Sequence, residues 1–404
     1  MKELFTLGDL YVSDFLSEGE KPRGGQVEMK MVFDEKTSAV RLEQAAPLDT
    51  MYGKYWYRSG INQTMTNELK SIVDNINNLI KLKKSDMWLD IACNDGTLLS
   101  FVSKDLIRIG VDPVDDTYKN ESINHADLII QDYFTHDVLK KSKFGKHKAK
   151  VITTIAMFYD LENPDIFLKD VYNSMEDDGL FVCQMSYTPL MIEQMAFDNI
   201  CHEHIFYYSL ETIKTLYEDN GFKIVDCQLN DINGGSFRVY AMKDIGDITQ
   251  FSTQPNRDVC KFRVQSILNY EKEMGYNTPE IWEKFYKNLL ELKTKTYNFI
   301  KQEKIKGKSV WGYGASTKGN TLLQYFNLDH TLIDGIAERS PYKFGLKTVG
   351  TNIPIFSEKE MRLAKPDYLL ILPWHFINEF VEREKDYLNY GGKFIVPCPK
   401  FLVI

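Results

Sequence analysis

The clearest periodic segment runs from Met65 to Leu82, where Leu69, Ile72, Ile76 and Leu79 recur at helical spacing. That pattern predicts an amphipathic helix. Short apolar runs follow at Met87–Cys93, Ile107–Val111, Leu128–Ile130, Val151–Ile155 and Leu180–Met185, with helical patterns between them. This alternation predicts a parallel sheet with crossover helices. Phe222–Leu229 and Ser236–Met242 flank a Gly-Gly turn and read as a terminal antiparallel pair. Polar and aromatic residues at helical period from Val259 to Glu303 predict one or two long helices. The alternation then restarts: Ser309–Trp311, a glycine-rich turn and a helix, then Leu332–Ile336, Tyr368–Leu372 and Lys393–Val396. We read an α/β protein with two Rossmann-like units. An amino-terminal segment at 1–64, irregular to about Tyr57, precedes a domain with a helical extension at 65–300 and a smaller doubly wound domain at 301–404.

Composition narrows the classes. The 404 residues are 43% hydrophobic and 26% charged, an ordinary soluble profile. No apolar run reaches the roughly 18–20 residues that span a bilayer. The opening MKELFTLGDLYVSDF lacks the charged-then-apolar order of a secretory leader, so a cytoplasmic protein is expected. The net charge of −8, with dispersed Lys and Arg, disfavours nucleic-acid binding. Six scattered cysteines form no C-x-x-C, which argues against a zinc ribbon or a disulfide framework. Oligomeric state is not legible.

Residues 87–99, MWLDIACNDGTLL, combine a buried strand ending in Asp90 with a turn of small residues leading into a helix. Ala92 and Gly96 let the backbone approach a ligand closely. The next strand ends in Asp112 and Pro113, about 20 residues on, the spacing of a ribose-binding acid. A third strand is closed by Asp132. The G-x-G-x-x-G of a dinucleotide site is absent, and the Asp90 carboxylate repels phosphate. It suits a cationic methionine amino group. S-adenosylmethionine is therefore the expected cofactor, held by Asp90, Ala92, Asn94, Asp95, Gly96, Asp112, Pro113, Asp132, Tyr133 and Ile155.

The order of motifs resembles the sugar C-methyltransferases that modify nucleotide deoxysugars. The resemblance spans nearly the whole chain: YGKYWYRSGINQTM at 52–65, LDIACNDGTLL, ICHEHIFYYSL at 200–210, NGGSFRVY at 233–240, GYGASTKGNTLL at 312–323, LPWHF at 372–376 and GGKFIVPCPK at 391–400. It implies an N-terminal zinc-binding segment, a central methyltransferase domain and a C-terminal Rossmann-like domain, with the sugar nucleotide between the last two. One departure is plain. Asp34 and Thr37 stand where the family has a C-x-x-C, and no cysteine precedes Cys93. Zinc is therefore not expected, because hard oxygens do not replace thiolates in a structural site.

Carbon methylation needs an acidic C–H beside a ketone, a base, a donor to the enolate oxygen and an in-line methyl sulfonium. Residues 201–204, Cys-His-Glu-His, supply titratable groups. The resemblance assigns Glu203 and His204 as the catalytic pair, with His204 as base and His202 structural. Cys201 replaces a tyrosine found in some members, and a thiol is a poorer donor. Tyr57 matches another family tyrosine and is expected to share the enolate role. H-E-H lacks metal-site spacing, so no metal is expected.

The turn GYGASTKGN at 312–320 opens a helix without the G-K-[ST] of a P-loop. Lys318 offers a charge for phosphate, and Glu338 a partner for a ribose hydroxyl. Substrate-binding candidates are Arg58, Ser59, Arg238, Tyr313, Lys318 and Asn320. The expected reaction is C-methylation, at C3, of a nucleoside-diphosphate 4-keto-deoxysugar. O- or N-methylation of a nucleotide sugar, a non-catalytic sugar-nucleotide binder and a dinucleotide oxidoreductase are the alternatives.

Overall fold

The amino-terminal residues, expected to be irregular, instead pair as an antiparallel sheet of Lys2–Tyr11 (β1), Gln26–Phe33 (β2) and Val40–Leu42 (β3). Register shifts between Glu3 and Phe5 and between Thr6 and Asp9 break the period-two alternation, which hides the strand in the sequence. β1 still buries Phe5, Leu7 and Leu10. Asp34 lies in the turn between β2 and β3, where its carboxylate accepts the Lys36 amide at 2.9 Å. It closes a turn, as Asx residues do.

This computed structural model describes residues 1–47, 51 and 57–404. Its contacts divide the chain into two units. One holds Met1–Met51, Pro189–Ile205 and Thr278–Ile404; the other holds Tyr52–Thr188 and Phe206–Asn277. The division is not the three consecutive segments read from sequence. Residues 189–205 and the amino-terminal sheet group with the C-terminal residues. No helix among the described residues is long and apolar enough to cross a membrane.

The second of these units begins with Gln63–Leu79 (α1), capped by Asn62 through the Thr64 amide. α1 buries Met65, Leu69, Ile72, Val73 and Ile76, the stripe its spacing predicts. The strands Met87–Ile91 (β4), Ile107–Val111 (β5), Leu128–Ile130 (β6), Ala149–Ile155 (β7) and Met175–Ser186 (β8) follow, then Phe222–Asn230 (β9) and Ser236–Lys243 (β10). The sheet order is β9-β10-β8-β7-β4-β5-β6. β4 to β8 pair in parallel, and β10 pairs antiparallel with both β8 and β9. Trp88, Leu99, Val151 and Tyr240 join the α1 stripe in one core. Thr97–Phe101 (α2) follows the turn after β4. The helical extension is two helices, Gln254–Met274 (α3) and Pro279–Ile305 (α4), separated at Gly275, whose φ is +71°, and restarted at Pro279. The break coincides with the boundary between units, so α4 belongs with the C-terminal residues.

In that other unit Val310–Tyr313 (β11), Gly335–Glu338 (β12), Ile355–Ser357 (β13), Tyr368–Ile371 (β14), Lys393–Val396 (β15) and Leu402–Val403 (β16) form a sheet of order β13-β12-β11-β14-β15-β16. All neighbours are parallel except β15 and β16. Thr317–Tyr325 (α5) follows the glycine-rich turn. The amino-terminal sheet is tied to this body. Phe5 stacks on Tyr286 of α4 with ring centroids 4.5 Å apart. Gln324 of α5 accepts from the Tyr11 amide at 2.9 Å and donates to the Tyr11 carbonyl at 3.1 Å.

Candidate functional site

The turn after β4 is built around three carboxylates. Asp90 is buried and accepts a 2.6 Å hydrogen bond from the Thr153 hydroxyl. Burial pushes its pKa up to about 7, against the lowering effect of that bond. An anion so placed is costly until a cation reaches it. Asp112 accepts the amides of Asn94 at 2.7 Å and Val114 at 3.0 Å, which aims its carboxylate into the turn. Burial raises its pKa as well. Gly96 holds φ at +79°, and a Cβ there would lie 2.8 Å from the Ser122 Cα. Ala92 and Asn94 also have positive φ, so the chain turns sharply beneath the strand ends.

Asn94 and Asp95 mainly hold the preceding segment. The Asn94 side chain donates to the Tyr57 carbonyl at 3.1 Å and accepts the Ser59 amide at 3.1 Å. Asp95 accepts the Gly60 amide at 2.7 Å and the Thr97 hydroxyl at 2.6 Å. Tyr57 and Ser59 are thereby fixed on the rim of a cleft also lined by Met65, Leu69, Asp90, Ala92, Cys93, Leu98, Ile155 and Ala156. Residues 52–56 of the YGKYWYRSG motif lie outside the described residues. Asp132 and Tyr133 are exposed at the end of β6, and Pro113 follows Asp112 on the same edge. The expected donor-binding residues therefore stand at the carboxyl ends of β4 to β7; of their carboxylates, Asp90 lines the cleft.

Other expected residues have protein partners. Arg58 pairs with Glu121, donates to the Thr117 hydroxyl at 2.9 Å and lies 4.0 Å over the Tyr118 ring. Arg238 is buried; it pairs with Glu68 at 2.6 Å and donates to the Gln184 side chain at 2.8 Å. Tyr313 donates to Glu384 at 2.7 Å and accepts from Arg383 at 3.1 Å. Asn320 donates to the Ser13 hydroxyl at 2.9 Å and the Asp14 carbonyl at 3.0 Å, anchoring the amino-terminal segment. The carboxylate of Glu338 accepts the amides of Arg339 and Ser340 in its own turn and of Ala315 in the glycine-rich turn, so it ties the two turns together.

Lys318 behaves differently. It extends from α5 to donate to the Asn199 side-chain oxygen. The turn Phe197–Asn199 and the CHEH segment then gather around it. His204 Nδ1 lies 2.8 Å from the Asn199 carbonyl oxygen. A carbonyl only accepts, so the ring proton sits on Nδ1 and the lone pair on Nε2. Burial and the Lys318 charge hold the His204 pKa well below the usual histidine range. Glu203 goes the other way: burial lifts it to about 7, with Lys318 opposing. His202 points elsewhere, with Nε2 3.3 Å from the Val27 carbonyl oxygen. Cys201, Glu203 and His204 bring ligand atoms to within 4.8 Å of one another, the one group so spaced among the described residues. The Lys318 ammonium acts on both Glu203 and His204 and opposes a dication there.

Two members of this cluster were not singled out from sequence. Asp198 is buried, with its pKa raised by that burial, and accepts from the Trp374 indole at 3.3 Å. His375, next to that tryptophan, also feels the Lys318 charge. The signal for His375 was its place just past the apolar run of a strand, inside LPWHF.

Known proteins bear on both units. The family described as a methyltransferase domain matches residues 63–226, and the one described as a C-methyltransferase C-terminal domain matches 231–399. The C-methyltransferase NovU of Streptomyces niveus is 26% identical over 405 aligned residues, covering 100% of this chain and 94% of that protein. Among solved structures, magnesium protoporphyrin IX methyltransferase of Synechocystis with bound SAM is 11% identical, covers 45% of this chain and 79% of its own, and has a TM-score of 0.32. The YcgJ protein of Bacillus subtilis is 11% identical, with coverage of 44% and 98% and a TM-score of 0.34.

Proposed function

From the match of residues 63–226 to a methyltransferase domain and of 231–399 to a C-methyltransferase C-terminal domain, and the full-length similarity to a C-methyltransferase, we propose that the acceptor is a nucleoside-diphosphate 4-keto-deoxysugar, methylated at C3 through an enolate. The protein is an S-adenosylmethionine-dependent C-methyltransferase. The donor supplies an electrophilic methyl sulfonium. Asp90 suits its methionine ammonium and Asp112 its ribose hydroxyls, and the apolar wall of Met65, Leu69 and Leu98 suits the rest.

The observation that carries the acceptor reading is the His204–Asn199 contact. It fixes the tautomer in which Nε2 is a base, and it does so beside Glu203, whose ionised form stabilises the imidazolium that results. The α-proton passes to Nε2, and the C–H pair becomes the enolate. Tyr57 and Ser59 are assigned to the acceptor, and residues 301–404 to the nucleotide diphosphate.

The test is incubation of the protein with the methyl donor and a panel of nucleoside-diphosphate 4-keto-6-deoxyhexoses in heavy water. A product heavier by one methyl on C3, which has lost its C3 proton, is expected, together with solvent deuterium at C3 of the recovered substrate. A methyl on oxygen or nitrogen without exchange would overturn the reading in favour of O- or N-methylation.

A further inference from the structure

The C-terminal sheet has its switch point between β11 and β14. From β11 the chain moves to β12 and β13 on one side, then crosses back to β14 and β15 on the other. Open α/β sheets bind ligands in the crevice beyond the carboxyl ends of such a strand pair. Two segments empty into that crevice. One follows β11 and carries Lys318; the other follows β14 and carries Pro373, Trp374 and His375.

The two segments touch. The Leu372 amide donates to the Tyr313 carbonyl at 3.2 Å. Gly314 holds φ at +83°, and a Cβ there would lie 2.7 Å from Pro373 Cγ. Both segments are also fastened to the same short turn. Trp374 binds the Asp198 carboxylate, and Lys318 binds the side chain of Asn199, whose carbonyl orients His204. One three-residue turn therefore positions a base, a cation and the residue before a second imidazole.

The His375 ring lies edge-on to Trp374, with centroids 5.8 Å apart, and against Phe376 at 4.3 Å. Apolar rings thus fix its plane. Among the described residues, its ring nitrogens have no hydrogen-bond partner. Burial and the Lys318 charge push its pKa down to about 3, so it is neutral at working pH. A neutral imidazole is an N–H donor that polarises a carbonyl without protonating it.

We propose that His375 is a catalytic residue that, together with Lys318, hydrogen-bonds the oxygen on which the enolate charge develops. The inference rests on the keto-sugar reading. When His204 Nε2 takes the α-proton, the C–H pair forms the C=C bond and the carbonyl π pair moves to oxygen. That oxygen receives the His375 N–H and a Lys318 N–H. The carbonyl then re-forms as the α-carbon pair takes the methyl, the donor sulfur keeping the broken S–C pair. His204 returns its proton to water. Cys201, a weak donor, is not needed for the oxyanion.

The experiment uses the full chain and a nucleoside-diphosphate 4-keto-6-deoxyhexose in heavy water. It compares wild type with His375→Ala and His375→Asn for α-proton exchange without donor, for steady-state methylation and for S-adenosylhomocysteine binding by calorimetry. His375→Ala is expected to slow both exchange and kcat by about 10²–10³, the effect of losing one oxyanion donor. KM and S-adenosylhomocysteine affinity should move by less than about threefold. His375→Asn, which keeps an N–H donor, should recover at least about tenfold of the loss. If the alanine variant lacks a cooperative thermal transition, His375→Phe replaces it as the donor-free comparison. Exchange and kcat within about threefold of wild type, a loss confined to KM, or an asparagine variant no faster than the donor-free one overturns the proposal. Wild-type methylation without α-proton exchange overturns the substrate reading together with it; exchange unaffected by the variants overturns the proposal alone.

Discussion

His204 Nδ1 lies 2.8 Å from the carbonyl oxygen of Asn199, and this contact decides which face of the imidazole can take a proton. With Nδ1 committed as a donor, Nε2 is the basic nitrogen. Replacing His204 with Gln or Ala is expected to lower kcat by about 10²–10⁴, the contribution of a positioned base. Donor affinity, measured by calorimetry, should stay at the wild-type value, because Asp90 and Asp112, proposed to hold the donor, belong to the other unit. Methyl transfer near the wild-type rate would remove His204 as base.

Glu203 gives the reaction a pH signature. Its carboxyl is raised to about 7 by burial, so it is protonated below that pH and ionised above it. Only the ionised form stabilises an imidazolium on His204. The expected profile of kcat/KM rises with pH through about 7 and then levels, and Glu203→Gln should abolish that limb. An unchanged limb in the variant would assign the titration to another group.

Much of this was readable from the chain because it rests on local patterns. Asp90, Asp112 and Gly96 stand at strand ends and turns that the apolar runs mark out. The amino-terminal strands were not readable, since the register shifts in β1 scramble the alternation of Phe5, Leu7 and Leu10. Nor could spacing reveal that Lys318 reaches Asn199 and Trp374 reaches Asp198, because three distant segments bring them together. The same limit applies to Arg238 and Asn320. Their charge or polarity suggested ligands, yet Glu68 and Ser13, far away in sequence, are their partners.

The proposed donor role of Asp90 predicts a trade of stability for binding. Its folded pKa, about 7, lies above the ordinary 3.8. The folded state therefore binds its proton more tightly than the unfolded chain, and stability falls as pH rises between those values. Asp90→Asn keeps an acceptor for Thr153 and carries no charge. At pH 8 the donor-free variant is expected to be more stable than wild type, on the order of a few kcal/mol, with the gain vanishing toward pH 4. Donor binding should be lost. Thermal melting at the two pH values, with calorimetry for the donor, checks both parts.

Gly96 makes a steric prediction. An alanine there must hold φ at +79° and place Cβ 2.8 Å from backbone at Ser122. Gly96→Ala should cost about 1–3 kcal/mol of stability, read as a lower denaturation midpoint. Donor affinity should fall as well, because the same shift displaces the Asn94 amide that holds Asp112.

Lys318 separates two roles that its position in a glycine-rich turn leaves open. A lysine that only holds the diphosphate affects KM for the sugar nucleotide and nothing in the pH profile. In the structure, however, its charge lowers the pKa values of Glu203, His204 and His375 together. Removing it in Lys318→Met leaves Glu203 with burial alone, which favours the protonated carboxyl. The rising limb of kcat/KM should therefore move above pH 7, while kcat falls through loss of a donor to the oxyanion. A raised KM with the limb still near 7 would return Lys318 to the phosphate. A pH series on wild type and variant, with one sugar nucleotide at saturating methyl donor, distinguishes the two.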